Sequence, residues 1–195
     1  MLINKLKKVR IFTFKQNKSN SMKRSVILLL LTGFLSFAQD NNKELKPIKT
    51  YEREGVKIAS FDFNSFEPIL HKNDDTTYVI NFWATWCLPC VKELPYFEQL
   101  NKKYENQNVK VILVSMDMPK KVENSLIPFV KKKKLQSEVI HLDDPDANAW
   151  IEKVDKNWSG SIPATIIYNS KTRKFYESSF TFEELEKELI TIINN

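Results

Sequence analysis

The chain of 195 residues is long enough for one domain with an extension. Its formal net charge of +6 suggests a nucleic-acid partner, but eight of its 30 Lys and Arg residues, and none of its 24 Asp and Glu residues, lie in residues 1–38. Residues 39–195 therefore carry 22 basic and 24 acidic residues, a net charge of −2. This near-neutral balance excludes the basic surface that nucleic-acid binding requires.

Residues 1–38 are predicted to be a leader with a signal peptide. Met22-Lys23-Arg24 supplies a positive start, an apolar run follows, and Ser36-Phe37-Ala38 offers small residues where a signal peptidase cuts. We expect Met22 to be the true start. The apolar run is roughly a dozen residues, whereas a membrane span needs about 20, so cleavage is favoured over an uncleaved anchor. The prediction is an exported, periplasmic protein, either free or held at the membrane.

The elements that follow alternate between strands and helices. Residues 39–55 are polar and charged and are predicted to lead loosely into a domain of residues 56–195. The strands predicted from apolar periodicity are 56–63, 77–83, 109–115, 138–142, 164–168 and 174–180. The predicted helices are 66–71 (capped by Ser65), 87–104, 122–134, 146–154 and a C-terminal helix that Thr181 and Glu184 begin with a capping box. This order predicts an α/β fold with a mixed sheet.

The two cysteines, Cys87 and Cys90, are separated only by Leu88 and Pro89. A disulfide that closes so small a loop restricts the unfolded chain little, so a structural role explains this pair poorly. The pair stands where a predicted strand ends and a helix begins, and unpaired N–H groups there favour a thiolate. Cys87 is therefore the predicted nucleophile, and Cys90, one turn later, is predicted to release the product. Trp86 is predicted to shield the Cys87 side, and Pro89 to restrict the backbone.

Residues 82–90 resemble the thioredoxin superfamily, and within it the exported TlpA/ResA-like branch of thiol–disulfide oxidoreductases. Glu93 and Pro95 follow at the spacing of that branch, and residues 161–165 match its Ile-Pro element. The resemblance covers roughly residues 56–195. It implies a thioredoxin-like fold and a cis Ile162-Pro163 bond beside the cysteines, where the substrate chain is received.

Two positions depart from well-known members of the superfamily. Asn81 stands where cytosolic thioredoxins have a buried Asp that assists proton transfer, so that proton path does not carry over. Leu88 replaces the Gly of thioredoxins and the Glu of some cytochrome-maturation reductases, so neither redox tuning carries over. For Glu93, a proton relay to Cys90 and an exposed helix carboxylate are both open.

Other roles for single residues are less favoured. A zinc site formed by the cysteines with His71 or His141 lacks a second cysteine pair, so neither a metal nor another cofactor is expected. Both histidines are expected to be structural or on the surface. A peroxidase is excluded because Ala84 stands where peroxiredoxins have Thr. Trp158 is either substrate surface or packing, and the indole rings expected in the core are those of Trp83 and Trp150.

The predicted function is disulfide exchange with client proteins that bear disulfides. The resemblance favours the reducing direction, which implies a membrane thiol donor that returns electrons to the pair. We expect a monomer. The alternatives are a disulfide oxidant or isomerase, and a non-catalytic binding module such as a metallochaperone.

Overall fold

The computed structural model describes residues 45–194, which form a seven-stranded sheet with helices on both faces. The strands are β1 (Lys49–Arg53), β2 (Val56–Phe61), β3 (Thr77–Trp83), β4 (Val109–Ser115), β5 (Glu138–Leu142), β6 (Ala164–Tyr168) and β7 (Arg173–Tyr176). The helices are α1 (Phe63–Phe66), α2 (Leu88–Lys103), α3 (Ile127–Lys133), α4 (Ala147–Val154) and α5 (Phe182–Ile193). The predicted signal peptide and the start at Met22 lie outside the described residues.

The sheet is mixed, with strand order β1-β2-β5-β4-β3-β6-β7. Strands β2, β5, β4 and β3 run parallel, while β1, β6 and β7 each pair antiparallel with their neighbours. Central β3 is buried along its whole length, and Phe82 near its end pairs with Ala164 at the start of β6. The segment before β6 therefore lies beside the end of β3, where α2 begins. The predicted α/β fold with a mixed sheet is confirmed.

Two hydrophobic cores lie on the two faces of the sheet. The cysteine face is covered by α2, α3 and α5 and contains Cys87 and Cys90. The aromatic face is covered by α1 and α4, and its core includes Phe63, Phe66 and Trp150. Because successive side chains of a strand point to opposite faces, each central strand contributes to both cores. Among residues 45–194, no helix is both long enough and apolar enough to cross a membrane.

Strand β1 was missed from the sequence, so the prediction of a loose segment up to residue 55 is wrong for Lys49–Arg53. Only Tyr51 of its five residues is buried, which leaves no apolar alternation to detect. The strand is held by its full antiparallel register with β2, across a turn in which Glu54 and Gly55 both have positive φ.

Strand β2 ends at Phe61, two residues before the predicted end, and three further elements differ more from the predictions. The first short helix begins at Phe63, because the Asp62 side chain and not that of Ser65 caps it by accepting from the Ser65 N–H. A 3₁₀ turn over Glu67–His71 then follows. The predicted helix 122–134 is a π-helical turn over Val122–Leu126 followed by α3, which has a proline in its first turn. The last strand ends at Tyr176, four residues early.

Candidate active site

Cys87 is the N-cap residue of α2, with an extended backbone (φ −84°, ψ 99°) and its Sγ accepting from the Cys90 N–H at 3.3 Å. The two cysteines form a disulfide, with Cα atoms 5.3 Å apart. Cys87 is 5% exposed, whereas Cys90 is fully buried. The more accessible sulfur is therefore also the one at the helix N-terminus, where N–H donors stabilise a negative charge once the disulfide is reduced.

The segment before β6 packs against this sulfur. The Ile162-Pro163 peptide bond is cis, as the resemblance implied, and the Ile162 carbonyl oxygen lies 3.7 Å from Cys87 Sγ. Pro163 is buried and Ile162 is half-buried. A backbone carbonyl beside the nucleophile is a site where an extended client chain can add hydrogen bonds.

Trp158 supports the segment from behind. Its indole N–H donates to the Ser161 carbonyl at 2.8 Å, and its ring packs 4.8 Å from that of Phe82. Trp158 is buried, so of the two sequence-based alternatives, packing is right and substrate surface is wrong. Trp83 and Trp150 are buried as predicted.

Exposed apolar side chains flank Cys87. Trp86 is 66% exposed and Leu88 64% exposed, and Pro89 is also exposed. Met118, in the loop after β4, is exposed as well. Neighbouring exposed apolar side chains beside a reactive sulfur suit contact with another protein. That Trp86 shields Cys87 remains a prediction.

Glu93 lies one turn after Cys90 on α2 and is only 1% exposed, so the alternative of an exposed helix carboxylate is wrong. Its Oε1 accepts from Asn81 Nδ2 at 3.0 Å, and its Oε2 accepts from the Phe180 N–H at 2.8 Å. Burial raises the pKa of Glu93 to about 7, although both hydrogen bonds act to lower it. A carboxyl group with this pKa can exchange a proton near neutral pH.

The loop between β3 and α2 is held by Asp117, which sequence reasoning missed. The buried Asp117 carboxylate accepts from the Thr85 N–H at 3.0 Å, from Thr85 Oγ1 at 2.5 Å and from Ser115 Oγ at 2.9 Å. The available signal was an acid just beyond a buried parallel strand, since the carboxyl ends of such strands collect site residues.

The two histidines differ. His141 is fully buried, with Nδ1 2.8 Å from Ser60 Oγ and Nε2 2.7 Å from the Asp117 carbonyl. Burial lowers the pKa of His141, which favours the neutral imidazole. His71 is exposed at the end of a 3₁₀ turn. Neither lies in a group of three or more His, Cys, Asp or Glu able to hold a metal, as residues 45–194 contain no such group.

A mixed α/β sheet, a cysteine pair at a helix start and an adjacent cis-proline together define a thioredoxin-like thiol–disulfide oxidoreductase. The chain belongs to the AhpC/TSA family, whose profile matches residues 51–173. It is also similar to proteins named thiol–disulfide oxidoreductase ResA, which places it in the TlpA/ResA-like branch. One from Geobacillus thermodenitrificans is 30% identical over 87% of this chain and 94% of that protein. Another, from Oceanobacillus iheyensis, is 28% identical over 88% of this chain and 93% of that protein.

Solved structures show the same fold. A thiol:disulfide interchange protein of the thioredoxin family from Chlorobium tepidum aligns with a TM-score of 0.53 at 16% identity, over 76% of this chain and 96% of that one. A secreted thiol-disulfide isomerase from Corynebacterium glutamicum aligns with a TM-score of 0.54 at 16% identity, over 77% and 86% of the two chains.

Proposed function

We propose that this protein reduces disulfides in other exported proteins. The observation that carries the proposal is the position of Cys87, which is the N-cap of α2, has a partner cysteine within disulfide reach, and contacts the carbonyl of a cis Ile162-Pro163 pair. The similarity to proteins named thiol–disulfide oxidoreductase ResA supports the chemistry, and the resemblance of residues 86–90 to the same region of disulfide reductases supports the direction.

The reaction proceeds in two exchanges. The Cys87 thiolate attacks one sulfur of a client disulfide, which forms a mixed disulfide and releases the other client sulfur as a thiolate. Cys90 then loses its proton, attacks Cys87 Sγ and releases the second client sulfur. Two electrons have passed to the client, and the protein is left with the Cys87–Cys90 disulfide that the structure shows.

The residues around the cysteines bind the client and accept the proton of Cys90. The exposed rim of Trp86, Leu88 and Pro89 contacts the client, and Ile162 and Pro163 align its backbone beside Cys87. Glu93 accepts the proton that Cys90 loses, because it lies one turn away on the same helix face and titrates near neutral pH.

The setting of the reaction is also a proposal. Residues 1–38 act as an export leader cleaved after Ala38, and the mature protein works as a monomer in the periplasm, either free or associated with the membrane. A reductase in an oxidising compartment must itself be reduced after each cycle, so a membrane thiol donor is its second partner.

The reduction potential of the Cys87–Cys90 pair tests the direction of the reaction. The protein lacking its first 38 residues is equilibrated with glutathione or dithiothreitol buffers. We expect a value near or below about −250 mV, the range of thioredoxin. A value between about −180 and −120 mV identifies an oxidant or isomerase instead.

Trapping experiments separate an enzyme from a binding module. We expect a Cys90→Ser variant to accumulate covalent mixed disulfides with clients in cells, because the resolving sulfur is gone. The matched Cys87→Ser variant should trap nothing, since it lacks the accessible nucleophile. If Cys90→Ser traps no client and keeps full function in cells, the catalytic proposal is wrong.

A further inference from the structure

Asn81, Glu93 and Thr165 form a buried polar group between the sheet and α2. All three side chains are buried, on β3, α2 and β6 respectively. Asn81 Nδ2 donates to Glu93 Oε1 at 3.0 Å and to Thr165 Oγ1 at 3.1 Å. Asn81 Oδ1 is buried but has no hydrogen-bond partner within the described part of the chain. In this orientation, the Asn81 amide uses its donors and leaves its acceptor unsatisfied.

The hydrogen bonds of Glu93 determine which of its oxygens can take up a proton. Oε2 faces the backbone N–H of Phe180, which is always a donor, so Oε2 remains an acceptor in either protonation state. The proton must therefore reside on Oε1, the oxygen that faces Asn81. With Asn81 oriented as in the structure, a protonated Oε1 would place two donors against each other.

A half-turn of the Asn81 amide removes this conflict. The turn exchanges Nδ2 and Oδ1, so that Oδ1 accepts from the protonated Glu93. Thr165 adapts as well, because a hydroxyl both accepts and donates and can rotate to donate to Oδ1. The end of the Asn81 amide that faces away from Glu93 and Thr165 has no partner in either orientation within the described residues, so the contacts with Glu93 and Thr165 decide which orientation is favoured.

We propose that Asn81 is a positioning residue whose side-chain amide turns over each time Glu93 gains or loses its proton, with Thr165 reversing its hydrogen bond in step. The inference rests on the proposed function, in which Glu93 accepts the proton of Cys90. It explains how a buried acid remains hydrogen-bonded in both of its states during the cycle.

The groups around Glu93 explain why an uncharged side chain at position 81 suits the proposal. The titratable neighbour on its own helix is Cys90, while β3 presents Asn81 and the segment before α5 presents the Phe180 N–H. A carboxylate in place of Asn81 would share one proton with Glu93, and the two acids would titrate as a coupled pair. An amide keeps Glu93 as a single acid beside Cys90.

Nuclear magnetic resonance of the oxidised full chain tests the turn directly, because the disulfide removes the cysteine titrations. Between pH 5 and pH 9, we expect the Glu93 carboxyl carbon to titrate. We also expect the contact between the Asn81 NH₂ protons and the Thr165 side chain to be present at high pH and lost at low pH, with the same midpoint. A contact that persists at both ends, or a Glu93 carboxyl that does not titrate in this range, overturns the proposal.

Glu93→Gln is the matched variant for this experiment. The oxygen of the introduced side-chain amide must accept from the Phe180 N–H, so the NH₂ of that amide faces Asn81. The Asn81 amide should therefore remain turned at every pH. If Asn81 keeps its contact with Thr165 in Glu93→Gln, the proposal is overturned even where the wild-type signals are unclear.

Kinetics connect the turn to the reaction. We expect Asn81→Leu, which can neither donate nor accept, to slow resolution of the mixed disulfide at pH 7 by about tenfold, the effect of one pKa unit, and to move the pH profile upwards. Thr165→Val should shift the profile in the same direction, and Thr165→Ser should reverse that shift. Unchanged profiles in both Asn81→Leu and Thr165→Val overturn the inference.

The two proposals can fail separately. An Asn81 amide that stays fixed while clients are still reduced removes this inference alone. An amide that turns normally in a protein that exchanges no disulfides removes the proposed function alone.

Discussion

The two faces of the sheet bury different kinds of residue. On the cysteine face, alternate positions of the central strands bury polar side chains, namely Ser60, Asn81, Ser115, His141 and Thr165. The aromatic face is filled by ring systems, namely Phe61, Phe63, Phe66, Tyr78, Phe82, Trp150, Trp158 and Tyr168. Rings such as Phe63 and Trp150 stack there with centroids 5.5 Å apart.

This difference places the buried polar groups that can take part in chemistry on one face of the sheet. Each buried polar group on the cysteine face has to keep its hydrogen bonds, because an unmet one costs free energy of folding. Large aromatic side chains, in contrast, bury the most apolar area per residue and stabilise most by packing. Both faces bury an apolar core that stabilises the fold, whereas the proton-exchanging residues lie on the cysteine face only.

The largest expected effect tests this separation by removing a ring. Phe66→Ala on the aromatic face should lower the free energy of unfolding by about 4 kcal/mol through the cavity it leaves. Its rate of disulfide exchange at low temperature should match the wild type, because Phe66 lies on the face of the sheet opposite the cysteines and reaches the segment before β6 only indirectly, through Phe82 and Trp158. Denaturant unfolding and an exchange assay measure the two quantities.

The matched control is Phe97→Ala, which removes an equally buried ring from α2 on the cysteine face. We expect a similar loss of stability together with a changed exchange rate, because α2 carries both cysteines. If Phe66→Ala changes the rate of disulfide exchange as much as Phe97→Ala does, the chemistry does not depend on the cysteine face alone.

The second effect concerns pH and lies on the cysteine face. Burial raises the pKa of Glu93 from 4.5 to about 7, so the folded state holds this proton more tightly than the unfolded state. The stability it contributes is complete below pH 4.5 and is lost as pH rises through 7. Relative to Glu93→Gln, the oxidised wild type should lose about 3 kcal/mol between pH 4.5 and pH 8.

Denaturant unfolding of both proteins across this range, with the disulfide intact, measures the difference. His141 provides an internal check of sign, since its lowered pKa makes stability fall as pH decreases below 6.5 in both proteins. A wild type that gains stability over Glu93→Gln as pH rises would contradict the raised pKa.

How much of the molecule could be predicted depends on where each signal lies in the sequence. Strands β3, β4, β5 and β6 have their predicted boundaries, because each is an uninterrupted run of mostly apolar residues. Strand β1 has one buried residue in five and exists only through its pairing with β2.

The residues of the site also differ in whether their signal is local in the sequence. The cysteine pair and the cis-proline segment are local motifs and were found from the sequence. The spacing of Glu93 from Cys90 and Phe97 already placed it on the buried side of α2, but its charge suggested exposure. Asp117 could not be assigned a role, since its partner Thr85 is 32 residues away and only the parallel pairing of β3 with β4 brings them together.

A smaller effect is expected at the loop that Asp117 holds. Asp117→Ala should lower the free energy of unfolding by about 2 kcal/mol, because the Thr85 N–H loses its acceptor. Hydrogen exchange at the Thr85 amide should become faster as the loop before Cys87 loosens. Asp117→Asn is the control, since its remaining oxygen can still accept from that N–H while the Thr85 hydroxyl rotates to accept. Equal losses in both variants would show that the charge, and not this hydrogen bond, holds the loop.

The smallest expected effect is at the start of α5. This helix packs on the cysteine face but takes no part in the proposed proton transfer. Thr181 Oγ1 accepts from the Glu184 N–H at 3.3 Å, and the Glu184 carboxylate accepts from the Thr181 N–H at 2.9 Å, which forms the predicted capping box. Thr181→Ala should lower the free energy of unfolding by about 1 kcal/mol, and Thr181→Ser should restore most of it. Because Phe180, whose N–H binds Glu93, directly precedes this cap, the Glu93 titration provides a second reading. If Thr181→Ala shifts the midpoint of that titration, the start of α5 belongs to the proton-exchanging group and not only to the scaffold.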